Sequence, residues 1–328
     1  MRIQSKNQGS VLILVLLVVA VLMSFGTSST SKIHSDINET VQLDNNSQAF
    51  WYALGMESKV SDLLKYNNQA NRDSNFLVHY GNLPIIKSDI EEGTIEGSIR
   101  DLSTCFNVNS LVQVDKKTSN LVINQPSVDV YRNLLNALKI DEFLHDGLIY
   151  SMLDWIDSND FVANSFGAED DFYTRLDSPY RTPNQLIHHE AELFNIKNYE
   201  PEMLNKILPF ICAKPVVAIS NININTVSKE EPEIFMMMFG EQMSREAALN
   251  ILQDRPLTGF YNKDDFFSHP ELKDLLIAEI IKEQIKTETN YFLLTSKSII
   301  NGQQFILQSS LSVLSNGKVK VIKRNLVL

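Results

Sequence analysis

From Ser10 to Tyr66 almost nothing interrupts a helix. Val11 to Met23 holds no polar residue, and Ile33, Ile37 and Val41 then recur at i, i+4 and i+8. Phe50, Leu54 and Leu64 carry an apolar stripe onward among Ser, Asn, Gln and Asp. No glycine falls between Gly26 and Gly55, and the first proline is Pro84. The pattern predicts one helix of about 85 Å at 1.5 Å per residue, all-apolar at its start and amphipathic afterwards. It is a stalk rather than a core helix.

Arg2 and Lys6 precede the apolar run, which places the N-terminal side in the cytoplasm. The run is about 20 Å long, short for a hydrocarbon core of ~30 Å. Hydroxyls at Ser10 and from Ser24 to Thr30 extend it by bonding back to helix carbonyls. A secretory signal would be cut after the run, and Ser24-Phe25-Gly26-Thr27-Ser28 supplies a candidate site. An uncut signal anchor is a second option. A third puts the cut at Gly9, on the border of the basic leader, and leaves the apolar segment on the mature chain. That arrangement resembles type IV prepilin-like proteins, and the uninterrupted pattern downstream decides for it.

Lys and Arg total 29 against 40 Asp and Glu, a formal net charge of −11. Phosphate neutralisation by cationic side chains supplies most non-specific nucleic-acid affinity, so no nucleic-acid partner is expected. Two cysteines, Cys105 and Cys212, are too few for a disulfide scaffold or a four-cysteine zinc site. They suffice for one bridge in an exported chain, tying early strands to a later helical block.

Past the stalk, polar Asn67 to Asn75 suggests a loop. Short strand-like runs follow at Phe76 to Tyr80, Thr94 to Leu102 and Cys105 to Val114. From Ser127 to Glu283 the periods are mostly helical. Strands return at Tyr291 to Ile299, Gln304 to Leu314 and Val319 to Val327, separated by Asn301-Gly302 and Asn316-Gly317, strong hairpin signals. Two or three early strands cannot stand alone. The expected fold class is therefore α+β: a long N-terminal helix and a small antiparallel sheet, interrupted by a large all-α insertion. The expected divisions are 1–9 leader, 10–30 transmembrane segment, and 31–115 helix and first strands. After them come 116–212 and 213–289, the two parts of the α-domain, and 290–328, the closing strands.

Asp146 to Asp177 carries eight acids and one base, Arg175. Asp157-Ser158-Asn159-Asp160 and Gly167-Ala168-Glu169-Asp170-Asp171 form two acidic turns within it. Calcium takes six to eight hard oxygens from carboxylates, amides and carbonyls on such loops. The spacing is not that of an EF-hand, and a solvated loop with N-capping Asp is the competing account. His188-His189-Glu190-Ala191-Glu192 lacks the second histidine of a zinc-protease helix. Ile234 to Phe239, rich in Met, suits a buried helix. Asn223-Ile224-Asn225-Thr226 through Arg255-Pro256 resembles helix-hairpin-helix repeats, but Glu241 at the hairpin would face any phosphate. No nucleophile, phosphate-loop or dinucleotide motif occurs, and no enzyme is expected.

Leu148-Ile149-Tyr150-Ser151-Met152-Leu153-Asp154-Trp155-Ile156-Asp157, Gly167 to Asp171 and Ser178-Pro179-Tyr180-Arg181-Thr182-Pro183-Asn184-Gln185 closely resemble the K-type minor pseudopilins of type II secretion systems. Cys105 to Leu111 and Ile222 to Thr226 share the likeness, which runs from leader to tail. The resemblance implies cleavage between Gly9 and Ser10 by a prepilin peptidase, with methylation of the new terminus. It implies a single-pass inner-membrane subunit with its domain in the periplasm. That subunit caps a short pseudopilus, beside I-type and J-type minor pseudopilins and then H-type and major ones. It also implies a pilin-like fold whose α-domain, helix-hairpin-helix or SAM-like in its second part, binds one or two calcium ions. The matching positions are Asp157, Asp160, Glu169, Asp170, Asp171 and Asn184. Phe161 to Phe166 departs from the family, being more apolar than its usual Pro/Gly-rich stretch. Position five after the cleavage site, commonly Glu in pilin-like proteins, is Leu14. That fits a subunit with no predecessor to satisfy, since an unpaired carboxylate inside a membrane is costly. The alternative function is a tethered or released extracytoplasmic calcium-stabilised binding protein or adhesin, beginning near Ser28.

Overall fold

The computed structural model describes residues 8–70, 85–217, 220–314 and 316–327. The run expected as a strand at Phe76 to Tyr80 lies outside them. Helix α1 spans Gln8–Ala70, 63 residues or about 95 Å. It passes unbroken through Ser24 to Thr30 and continues beyond Tyr66 into residues expected as loop, since Asn67, Asn68, Gln69 and Ala70 include no glycine or proline.

Strands β1 (Ile86–Ile90) and β2 (Gly93–Asp101) form a hairpin. Within the insertion lie β3 (Phe106–Asn107), β4 (Val112–Val114), β5 (Leu121–Ile123), β6 (Ile211–Cys212), β7 (Ile222–Asn223) and β8 (Ile285–Lys286). Strands β9 (Tyr291–Ile300), β10 (Gln303–Val313) and β11 (Val319–Val327) then complete an antiparallel five-stranded sheet of order β1-β2-β9-β10-β11. Asn301 and Gly302 both adopt positive φ in the β9–β10 turn, the conformation that their pairing in sequence predicts.

β2 ends at Asp101 and its sheet neighbour β9 begins at Tyr291, so the insertion hangs from a single strand connection. Cys105 to Val114, expected as a strand with the first ones, does not join the main sheet. It follows a 3-10 turn at Leu102–Thr104 and forms a second at Val108–Leu111, with the short β3 and β4 on either side. The reason lies in its buried polar side chains. Asn107 and Asn109 hydrogen-bond main-chain groups of Val216, Ile187 and Lys214, committing this segment to the insertion.

The face of α1 that meets the sheet is Asn45, Ala49, Ala53, Met56, Glu57, Val60 and Leu64, all buried. Phe50 and Leu54, expected in the stripe, flank it instead, with Phe50 edge-on to Phe305. Small residues face the sheet because the two approach closely. A Cβ on Gly97 would meet Met56 Sδ at 2.7 Å. Met56, Val60 and Leu64 pack on Ile95, Phe292, Leu294, Leu311 and Val313.

The insertion has its own, larger apolar core. Its helices are α2 (Gln125–Ala137), α3 (Glu142–Ile156), α4 (Asp170–Tyr173), α5 (Pro201–Ile207), α6 (Glu233–Phe239), α7 (Arg245–Asp254), α8 (Lys263–Phe267) and α9 (Glu279–Gln284). The Met-rich run is buried in α6, as its composition predicts. Between sheet and insertion, Asp101 Oδ2 accepts from Thr226 Oγ1 and Thr289 Oγ1, and Arg100 donates to the Pro209 carbonyl at 2.7 Å. Cys105 and Cys212 are joined by a disulfide, Cα to Cα 5.8 Å, buried against Leu102, Tyr291 and Leu293.

Candidate cation site in the acidic loop

Helix α3 ends where its C-terminal Asp154 and Asp157 turn inward. Asp154 is fully buried and clasps the following loop: Oδ1 accepts from the Ala163 amide at 2.9 Å and Oδ2 from the Ala168 amide at 2.8 Å. Gly167 is required there, because a Cβ would stand 1.9 Å from Asp154 Oδ2. Lys197 Nζ donates to the Gly167 carbonyl at 3.1 Å and lies 4.9 Å over the Phe172 ring. In the sequence Asp154 is one acid of eight that shares a helix face with Asp157. Its place three residues before Asp157 was the available signal for its role.

Asp157, the C-cap of α3, is buried and accepts from the Asn159 amide at 3.1 Å. Glu169 is 3% exposed; its Oε2 accepts from Thr182 Oγ1 at 3.1 Å, while Oε1 has no hydrogen-bond partner. Asn184, held at a positive φ of 47°, sends Nδ2 to Asp160 Oδ1 at 2.8 Å. That contact fixes its amide orientation, since an oxygen there would face a carboxylate. Asn184 Oδ1 is then buried without a donor. Asp157, Asp160, Glu169 and Asn184 thus come from two turns and one crossing strap.

The other two expected positions are engaged elsewhere. Asp170 Oδ1 accepts from the Thr182 amide at 3.0 Å and shares the one Thr182 hydroxyl proton with Glu169, and its Oδ2 lies 3.3 Å from Arg181. Asp171 points to solvent and pairs with Arg175 at 3.8 Å. Gly9 and Ser10 fall in the first turn of α1, and their surroundings lie outside the described residues.

Burial pushes the Asp154 and Asp157 carboxyls up to about 6, against the pull of their amide hydrogen bonds. Glu169 is pushed up to about 7 by burial, opposed by the Thr182 hydroxyl and reinforced by Asp154, Asp157 and Asp160. Three carboxyls resisting ionisation, beside two buried oxygens with no donor, suit a site that takes a cation. Hard oxygens of this kind are the donors that calcium or magnesium takes. As the side chains lie, no group of three His, Cys, Asp or Glu among the described residues could hold a metal ion. Asn184 and main-chain carbonyls would have to complete the shell.

The histidine pair has a structural role. His189 caps the 3-10 helix Glu190–Asn195 by accepting from the Ala191 amide, and Glu192 Oε1 returns to the His188 and His189 amides.

Two family models, both described as type II secretion system protein K, match residues 104–216 and 222–288 and together span more than half of the chain. The type II secretion system protein K of Pectobacterium carotovorum is 28% identical over 321 residues, covering 98% of this chain and 97% of that one. The Aeromonas hydrophila protein K is 28% identical over 266 residues, covering 79% and 78%. In fold the chain is similar to one in the crystal structure of the GspK-GspI-GspJ complex from enterotoxigenic Escherichia coli. The TM-score is 0.76 at 23% identity, over 88% of this chain and 99% of that one. Stalk, split sheet, helical insertion and family matches agree: the chain belongs to the protein K family of type II secretion systems.

Proposed function

We propose that this minor pseudopilin caps the pseudopilus, anchored in the inner membrane by the start of α1 and assembled with I-type and J-type partners. The observation that carries the proposal is the first part of α1. Leu12 to Met23 is exposed along its length, so lipid or neighbouring helices must cover it. Leu14, 65% exposed, stands fifth from Ser10 and offers no carboxylate to a preceding subunit's amine. A subunit at the end of a filament has no such amine to meet. Among the described residues no helix is long and apolar enough to cross a membrane, so anchoring draws on the hydroxyl-rich extension or on partner helices. The family of the complex that this fold resembles supports the partner assignment; H-type and major subunits would follow below.

The insertion contributes the second part of the proposal. Asp157, Asp160, Glu169 and Asn184 would hold calcium, whose charge would offset Asp157 and Glu169, which otherwise meet only an amide and a hydroxyl. The ion's part is structural: it keeps both acidic turns closed and the head in one shape for assembly.

N-terminal sequencing of the chain extracted from membranes tests the processing that assembly requires. A terminus at Ser10, with the chain recovered together with I-type and J-type subunits, is expected. A terminus near Ser28 would instead support a released calcium-stabilised binding protein.

A further inference from the structure

Among the described residues, sheet and insertion share no apolar core. The cluster under α1 and the larger cluster of the insertion have no residue in common. Between them lies a small third cluster, Leu102, Cys105 and Cys212, with Tyr291 and Leu293 of β9 packed on it. The insertion leaves β2 and returns into β9, neighbours in the sheet, so its two connections stand side by side. A body hung from such a joint swings unless it is tied, because only a large apolar interface holds two cores rigidly together.

Two ties of different kinds converge on this joint. The disulfide pulls β6, at the end of the insertion's first part, against the residues that follow β2. Asp101, the last residue of β2, accepts from the hydroxyls of Thr226, in the second part, and Thr289, just before β9. Thr289 in turn accepts from Asn223 Nδ2 at 2.7 Å, and the Ser103 amide donates to the other Asp101 oxygen at 2.6 Å. The buried Lys214 supplies the opposite charge. One carboxylate thus grips the entry, the exit and the body of the insertion. Elsewhere Lys323 of β11 reaches the His188 carbonyl, through a long side chain at an exposed site. We propose that the Cys105–Cys212 disulfide and Asp101 form an orientation lock, which holds the insertion at one angle to the stalk rather than holding either half folded. Each half keeps a core of its own, while the covalent tie on one part and the hydrogen bonds on the other stop rotation about the paired connections. A partner that contacts both stalk and insertion then meets a preset angle and is spared the cost of ordering it.

The test is double electron–electron resonance on the full-length chain in detergent. Nitroxides are attached at Glu91→Cys, on the exposed turn between β1 and β2, and at Leu257→Cys, exposed on the insertion. Both native cysteines are bonded, so only the new ones react. The parent should give one narrow distance distribution. Cys105→Ser with Cys212→Ser should widen it at least twofold, and so should Asp101→Ala. Glu57→Gln, which breaks an ion pair between α1 and β11, should leave it narrow. A second label pair, Phe143→Cys with Leu257→Cys, lies wholly on the insertion and should stay narrow in every variant. A broad distribution in the parent would overturn the proposal, as would a narrow one in either unlocked variant. Widening of the second pair as large as that of the first would overturn it too, because the ties would then hold the insertion's own fold.

Discussion

The helix–sheet half and the acidic loop both bury carboxylates, and they treat them in opposite ways. Glu57 on α1 is buried, yet it receives two hydrogen bonds from Arg324 at 2.8 Å and one from Ser309 at 2.6 Å. Burial alone would raise its affinity for protons, but Arg324 and Ser309 outweigh that and hold the carboxyl below its usual value. In the acidic loop Asp157 and Glu169 are equally enclosed, and no cationic side chain hydrogen-bonds to either among the described contacts. The first half is complete as a chain. In the second, Asp157 and Glu169 meet only an amide and a hydroxyl.

Gly167→Ala should have the largest effect on the loop, because the new methyl displaces Asp154 from two amides. Asp154→Ala, which strands the same amides without the clash, should cost about 2–4 kcal/mol. Thermal melts of both variants check this. If the loop needed no clasp, both would melt as the parent does. Glu57→Gln should cost about 2–3 kcal/mol by breaking the bidentate pair and leaving Arg324 unmatched. Hydrogen exchange should then quicken along β11 before the rest of the sheet. Gly97→Ala tests how tightly helix meets sheet; Met56 has to swing aside, at about 1 kcal/mol. A neutral result would mean that the Met56 thioether has spare room.

The pH dependence is the mildest effect and separates the two regions most cleanly. Asp154, Asp157 and Glu169 bind protons more tightly folded than unfolded, since their carboxyls sit near 6 to 7. The metal-free chain should therefore lose stability as pH rises from about 4 through 7. Glu57 runs the other way, and its contribution is lost as pH falls through its lowered value. Melts of metal-free protein at pH 5.5 and 7.5 should show the higher midpoint at pH 5.5. Replacing Glu169 with Gln should shrink that gap, whereas an unchanged gap would place its origin elsewhere.

The stalk was legible in the sequence because helix formation depends on local periodicity and on what is missing, glycine and proline. Its buried face was less so. The sequence stripe through Phe50 and Leu54 points to large residues, but close approach to Gly97 and the hydrogen bond from Ser298 to the Ala49 carbonyl turn Ala49, Ala53 and Met56 to the sheet. The closing strands and the Asn301-Gly302 turn could be read directly, since strand alternation and left-handed turn residues are local signals. Cys105 to Val114 misled because its side-chain hydrogen bonds reach partners about a hundred residues away. In the acidic loop the composition suggested a cation; Asn184 meets Asp160, while Asp157 and Glu169 are buried, and as the side chains lie no three acids among the described residues could hold a metal ion. Asp171 turns to solvent beside its i,i+4 partner Arg175, a local signal, whereas Asp170 is held by Thr182 and Arg181, which lie eleven or twelve residues on and leave no local one.

The contrast between a self-sufficient stalk and a loop proposed to take calcium is tested most directly by calorimetry of the full-length chain in detergent. The metal-free protein is titrated with calcium, with magnesium and with buffer alone. Calcium at a hundredfold excess over its Kd should stabilise the fold by about 2.7 kcal/mol. Magnesium should do less, because it resists dehydration and demands strict octahedral geometry. Glu169→Gln should lose most of the calcium response while Glu57→Gln keeps it. A melting temperature indifferent to calcium in protein shown to be metal-free would contradict the account and leave a solvated acidic loop.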